Sequence, residues 1–179
     1  MNAIVIYWSA TGNTEKVAHS IRDGLQEGGV DVSIRKVGEA GDIDYFAYDL
    51  VCIGCPSYNW HTPKPVEDFL RNKFTQHRVQ GKIKPGSPKI PGRNALVFCT
   101  YSGPHTGLDE ATPVGKYIGQ FFAHLGFTIV DEWYVLAEFH NNPENSTLGR
   151  MGDIRGKPTE DDLTSLRARA KALAQTLMS

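Results

Sequence analysis

AIVIYWSATGNT, residues 3–14, decides the fold. Ala3–Trp8 is a nearly continuous apolar run. A strand covered on one side alternates, so this run reads as a central parallel strand buried on both faces. It passes directly into Ser9-Ala10-Thr11-Gly12-Asn13-Thr14, a hydroxyl-rich turn in which Gly12 lets the chain close. Thr14–Glu27 then carries Val17, Ile21 and Leu25 at i, i+4 and i+8, an amphipathic helix that Gly28-Gly29 ends.

The pattern continues outward from that stretch. Val32–Val37 alternates apolar and polar, as in a strand nearer an edge. Asp42–Tyr48 reads as a short helix with Ile43 and Phe46 toward the sheet. Leu50–Gly54 and Ala95–Thr100 are buried strands, and Thr128–Ala137 is a fifth. Pro65–Phe74 is a helix with proline at its start and Val66, Phe69 and Leu70 on one face. Val114–Leu125 sets Val114, Tyr117, Ile118, Phe121, Phe122 and Leu125 on one stripe. Thr159–Met178 closes the chain with a Thr-x-x-Asp start and Leu163, Leu166, Ala170, Leu173 and Leu177 along one face. Five strands alternating with five helices predict an α/β fold, a doubly wound five-stranded parallel sheet with helices on both faces. With no linker or repeat, residues 1–179 read as one domain.

The chain is 40% apolar and 22% charged with a formal charge of -1, so it can build a core without disulfides and has no field to attract nucleic acid or an anionic membrane. No apolar run approaches the roughly 18–20 residues that span a bilayer. MNAIVIYW lacks a basic leader and reads as a strand rather than a signal peptide, which makes the cytoplasm the expected location. Cys52 and Cys55 form a C-x-x-C, but in an extended strand they lie roughly 10 Å apart, beyond disulfide reach. No second ligand pair exists for a metal, so buried thiols are expected and no metal site.

In a doubly wound sheet, ligands bind beyond the carboxyl ends of the strands, where the strand order reverses. The loop after strand one, Ser9–Thr14, offers hydroxyls and backbone N–H groups at a helix N-terminus, which suits a phosphate dianion. It contains no Lys or Arg, and it is neither a Walker motif nor GxGxxG. The same residues would also serve an ordinary helix cap. After strand three come Pro56, Ser57, Tyr58, Asn59, Trp60 and His61, where the two aromatics suit a flat apolar ring. After strand four come Thr100, Tyr101, Ser102, Gly103, Pro104, His105, Thr106 and Gly107. Backbone groups there can meet the polar edge of a ring, and Tyr101 can cover it. His105 is the candidate catalytic residue, because its charged form would stabilise an anionic reduced cofactor or a substrate oxyanion; a solvent-facing loop histidine is the alternative. After strand five, His140–Pro158 is a roughly 19-residue connection without clear periodicity, the kind of segment that is often functional. Its Arg150 and Arg155 could meet a nucleotide phosphate, a substrate carboxylate or a neighbouring subunit, or the segment could pack over the last helix. Arg71–Arg93 holds seven basic residues and no acid, but it leads into strand four at the opposite end of the sheet. It reads as a solvated loop or a docking surface.

Ser9-x-Thr11-Gly12-x-Thr14 directly after the first strand resembles the phosphate loop of flavodoxin-like proteins, and the resemblance in element order covers nearly the whole chain. The resemblance implies strand order 2-1-3-4-5 and an FMN cofactor. The phosphate would lie on Ser9–Thr14 and the ring between the loops after strands three and four, stacked by Tyr58 or Trp60. The third loop resembles those of flavodoxin-like quinone reductases more than the acid-rich loops of electron carriers. An FMN oxidoreductase is therefore expected, taking electrons from NAD(P)H or a protein and passing them to a quinone or similar small-molecule acceptor. A pure electron carrier is the alternative, although the charge of -1 lacks the steering field such carriers use. A phospho-receiver would need Asp where Cys55-Pro56 ends strand three. A homo-oligomer is compatible with the sequence.

Overall fold

The apolar run at the start of the chain lies at the centre of the sheet, as its two-sided character requires. In the computed structural model, which describes all 179 residues, β1 (Asn2–Tyr7) pairs in parallel with β2 (Asp31–Lys36) on one side and β3 (Leu50–Pro56) on the other. Beyond β3 lie β4 (Asn94–Tyr101) and β5 (Thr128–Leu136), giving the all-parallel order β2-β1-β3-β4-β5. Each strand lies within two residues of its expected ends. The sequence order steps outward from β1 in both directions, so the reversal falls between β1 and β3.

Successive side chains point to opposite faces of a strand. Ala3, Val5 and Tyr7 accordingly join one core with α1 (Asn13–Glu27) and α5 (Glu160–Met178), through Val17, Ile21, Leu25, Leu166 and Ala170. Ile4 and Ile6 join the other core with α2 (Lys64–Val79) and α3 (Thr112–His124), through Val66, Phe69, Leu70, Val114, Ile118 and Phe122. The same alternation separates the C-x-x-C thiols, with Cys52 in the first core and Cys55 in the second. All three cysteines are free and fully buried, and burial pushes the Cys52 and Cys99 thiols well above their ordinary range. Thiols in that state are inert.

The helix over Asp42–Tyr48 is reduced to a 3₁₀ turn at Tyr45–Ala47. Its inward residue is Tyr45, fully buried, whereas Ile43 and Phe46 are half-buried at the margin. Tyr117, placed on the buried stripe of α3, is exposed, because α3 has a solvent edge at that turn. Thr159 caps α5 and shares a capping box with Asp162, as Thr-x-x-Asp implied. Inside the segment after β5, a short helix α4 (Pro143–Thr147) forms where no periodicity marks it, with Asn142 accepting from the Asn145 N–H.

The largest departure is α2, which runs on to Val79 and buries Lys73 and His77. The Lys73 ammonium donates to the Ile43 carbonyl (2.9 Å) and lies 5.4 Å from the Tyr45 ring centroid. The other basic side chains of Arg71–Arg93 are mostly engaged as well. Arg71 pairs with Glu67, Lys82 with Asp44 and Arg93 with Asp49, and Lys89 donates to the Phe127 carbonyl. Most of the segment remains at the surface, as expected, but Lys73 and His77 turn inward and four of its other basic side chains are engaged within the chain.

His77 gives the fold a pH dependence. Burial, and then the nearby Lys82 and Lys73, lower its basicity below the ordinary histidine value, outweighing the opposite pull of Asp44. A group whose folded pKa is depressed stabilises the fold above its unfolded pKa. Stability should therefore hold above about pH 6.5 and decline below it, by at most about 1.4 kcal/mol per pH unit from this one group. Urea melts from pH 7.5 to 5 on wild type and His77→Phe test this. The variant should lose the slope that His77 adds, and parallel pH profiles would contradict the assignment.

Candidate functional site

The four loops beyond the carboxyl ends of β1, β3, β4 and β5 surround one cleft of about 510 Å³. That is within the usual size range for cofactor sites, about 300–1,000 Å³. Ser9, Ala10, Thr11, Asn13 and Thr14 line it, with Pro56–Trp60 and Thr100–His105. Gly12 and Gly107, expected among the contacts, do not line it. Gly12 shapes the turn at φ +94°, and Gly107 lies beneath the third loop, where its N–H donates to the Gly103 carbonyl (3.0 Å). Gly103, at φ +55°, has no room for a side chain: a Cβ there would sit 2.6 Å from the Gly107 oxygen.

At one end of the cleft stands the N-terminus of α1. Its cap is Gly12, which has no side chain to satisfy the first turn, and the first main-chain bond of the helix is Lys16 N–H to Gly12. The N–H groups of Asn13, Thr14 and Glu15 therefore have no helical acceptor, and they carry the positive end of the helix dipole. The Ser9 hydroxyl accepts from the Gly12 N–H (3.1 Å), which closes the turn. The Thr14 and Thr100 hydroxyls lie 2.7 Å apart in a buried pair that ties this helix end to β4. Below the loop, burial and a hydrogen bond to Glu15 (2.5 Å) push the Tyr7 phenol up, while Tyr7 and Lys36 hold the Glu15 carboxyl down.

The middle of the cleft is aromatic. Tyr58 and His61 exchange two backbone hydrogen bonds (3.0 and 2.9 Å) around Asn59 and Trp60, both at positive φ. This is the geometry of a tight turn with two left-handed residues. Asn tolerates that conformation and Trp does so at a cost, so the turn holds Trp60 outward against strain. Trp60 and Tyr58 are 55% and 46% exposed, large apolar surfaces with nothing of this chain over them. Tyr58 also meets Trp8 edge-on (5.8 Å). Next to them in the chain, the Ser57 hydroxyl is used within the protein, donating to the Glu110 carbonyl.

Sequence reasoning missed part of the wall. Glu110, Ala137, Glu138, Phe139, His140, Asn141 and Asn145 also line the cleft. All but Glu110 belong to the chain leaving β5, whose length alone marked it as a place to look. Ser102 donates to the Ala137 carbonyl (2.7 Å), and the Arg150 N–H donates to the Pro104 carbonyl (2.7 Å). The buried Ser146 hydroxyl bonds both the N–H and the carbonyl of Phe139. These contacts carry Phe139 and His140 to the cleft. The Asn13 amide donates to the Glu138 carbonyl (3.4 Å) and reaches His140 Nε2 (3.2 Å), so this segment touches the N-terminus of α1 directly.

Arg155 does not enter the cleft. It forks onto Asp153 two residues away and holds that carboxyl down to about 2. Arg150 is exposed at the rim, its side chain over Gly107. No Lys or Arg lines the cleft itself. Its imidazoles are His105 and His140, and its carboxylates are Glu110 and Glu138.

A family model described as flavodoxin matches residues 5–168. A flavodoxin of Megasphaera elsdenii is 27% identical over 81% of this chain and 93% of its own length. An NAD(P)H dehydrogenase (quinone) of Archaeoglobus fulgidus is 25% identical over 96% and 95% of the two chains. Among solved structures, a flavodoxin from the domain Archaea superposes over the whole of both chains with a TM-score of 0.64 at 18% identity.

Proposed function

This chain belongs to the flavodoxin family, whose members bind FMN, and from that premise we propose that it is an FMN-dependent oxidoreductase, reduced by NAD(P)H or a protein donor and passing electrons to a quinone or similar acceptor. The residues present fit FMN. The uncapped first turn of α1, with Thr11 and Thr14 beside it, is a place for one terminal phosphate. The aromatic middle of the cleft suits a flat ring.

FMN supplies the hydride and electron chemistry when bound, and the protein supplies orientation and electrostatics. In this reading the α1 N–H groups and the hydroxyls of Ser9, Thr11 and Thr14 hold the phosphate. Tyr58, Trp60 and Tyr101 pack the ring, and the backbone of Ser102–His105 meets its polar edge. His105, exposed on the cleft wall, donates toward negative charge developing on the ring or on a substrate oxygen. The observation that carries the enzyme reading is the fourth wall. The segment after β5 adds Phe139 and His140 to the cleft and is pinned there by Ser146 and Asn13. A protein that only passes electrons at an exposed ring edge has no need of such a wall. The near-full-length match to a quinone dehydrogenase supports the same reading. The carrier reading keeps the flavodoxin relatives in its favour.

The test is anaerobic. Purified protein with FMN should be bleached by NADH or NADPH alone and recoloured by a quinone. A flavin that neither nucleotide reduces would exclude NAD(P)H as the donor, and chemically reduced protein that quinone then failed to recolour would leave the carrier reading.

A further inference from the structure

Glu110 sits at the end of a 3₁₀ turn (Gly107–Glu110) just before α3, and nothing in the sequence pattern marks it. One oxygen of its carboxylate accepts from two consecutive backbone N–H groups, His105 (2.8 Å) and Thr106 (2.7 Å), and from the Thr106 hydroxyl (3.5 Å). Successive N–H groups turned toward one point form a concave anion nest, and here the protein fills that nest with its own carboxylate. The main-chain carbonyl of the same residue takes the Ser57 hydroxyl. Glu110 is thus bonded to the loop after β3 and the loop after β4, both of which line the cleft, and it lines that cleft itself.

We propose that Glu110 is the positioning residue of the ring end of the site: it sets the separation and shape of the two ring-side loops, and its charge bears on the reduced state of the flavin between them. Three features carry this. The hydrogen bonds go to main-chain groups, so they fix the loop path itself, including the peptide that bears His105. Gly103 meets Gly107 backbone to backbone, with no room for a Cβ, and the Glu110 carboxylate accepts from the two N–H groups inside that close turn. No Lys or Arg lines the cleft, so this carboxylate is not neutralised by a cation of the site. A fixed negative charge disfavours a ring that gains negative charge on reduction far more than the neutral oxidised ring.

The inference rests on FMN being the cofactor and not on the identity of donor or acceptor, so it is tested by flavin binding and potential without a substrate. Glu110→Ala removes both the acceptor and the charge. It should weaken oxidised FMN and riboflavin alike, by about tenfold, because the ring end is what both ligands share. Glu110→Gln keeps an oxygen for the two N–H groups and removes the charge. It should restore oxidised binding to within about threefold of wild type while binding the reduced flavin about tenfold more tightly. For a two-electron couple that is a rise in potential of about 30 mV. If Glu110→Ala unfolds, the glutamine variant still decides the matter through the potential. The proposal is overturned by unchanged flavin affinity in Glu110→Ala, by a loss confined to FMN, or by a wild-type potential in Glu110→Gln.

Discussion

Replacing Thr11 and Thr14 together by alanine is expected to weaken FMN binding at least about 100-fold and to leave riboflavin binding nearly unchanged. A hydroxyl that donates to a charged acceptor contributes roughly 1.5–3 kcal/mol. Two such losses sum to about 3 kcal/mol at the low end, just over two factors of ten at about 1.4 kcal/mol each, and from the middle of the range they exceed that even without full additivity. The site has no Lys or Arg to compensate, so the N–H groups of α1 and these hydroxyls must meet the dianion alone. The structure adds a control. Thr14 is buried and its hydroxyl lies against that of Thr100, so Thr14→Ala also strands a buried hydroxyl. That should lower the melting temperature without distinguishing the two flavins. Thr11 is exposed and should show the ligand effect without the stability effect. Titrating flavin fluorescence against each apoprotein separates these outcomes. An equal loss for FMN and riboflavin would mean that the loop does not hold the phosphate.

The fold was legible because its evidence is local. A two-sided apolar run, an amphipathic helix with a glycine stop and a capping box each declare themselves within a few residues. The alternation of such units then leaves few topologies. Where the sequence misled, a tertiary contact overruled a local pattern. The stripe of α2 continues at the right spacing through Lys73 and His77, but polar side chains at those positions concealed it. They are buried because the Ile43 carbonyl and the Tyr45 ring are there to receive them. The three loops that line the cleft could be singled out from residue types that would suit a phosphate and a ring. Glu110 could not, since its role exists only once His105, Thr106 and Ser57 are brought to it. Arg155 was a case of the opposite kind. Asp153, two residues earlier, was always the nearest anion, and the pair closes on itself at the surface.

That correction sharpens the second large effect. If the chain is an enzyme that takes its electrons from a nicotinamide nucleotide, either NADH or NADPH should reduce its FMN rapidly in the isolated protein. His105→Ala should then slow turnover by on the order of 100-fold, the usual cost of removing one donor aimed at developing negative charge. FMN should stay bound, because the His105 side chain is not part of the Ser9–Thr14 loop and the substitution leaves the backbone of its own loop in place. The fall should appear in kcat and in kcat/KM together, since an interaction made mainly in the transition state is the one lost. Arg155→Ala should leave the KM for nucleotide within about twofold, as expected of a surface pair away from the cleft. Phe139→Ala is the companion test of the fourth wall. It opens the side of the cleft that the β5 segment builds and should raise KM for the acceptor while FMN affinity holds. A carrier would behave otherwise. Neither nucleotide would reduce it on a useful timescale, and His105→Ala and Phe139→Ala would both be silent until a partner reductase was added. Anaerobic stopped-flow absorbance, following the flavin band after mixing with each nucleotide and then with quinone, gives the two outcomes different traces. Fast bleaching that His105→Ala slows identifies the enzyme, and a flavin that neither nucleotide reduces and that quinone fails to recolour after chemical reduction identifies the carrier.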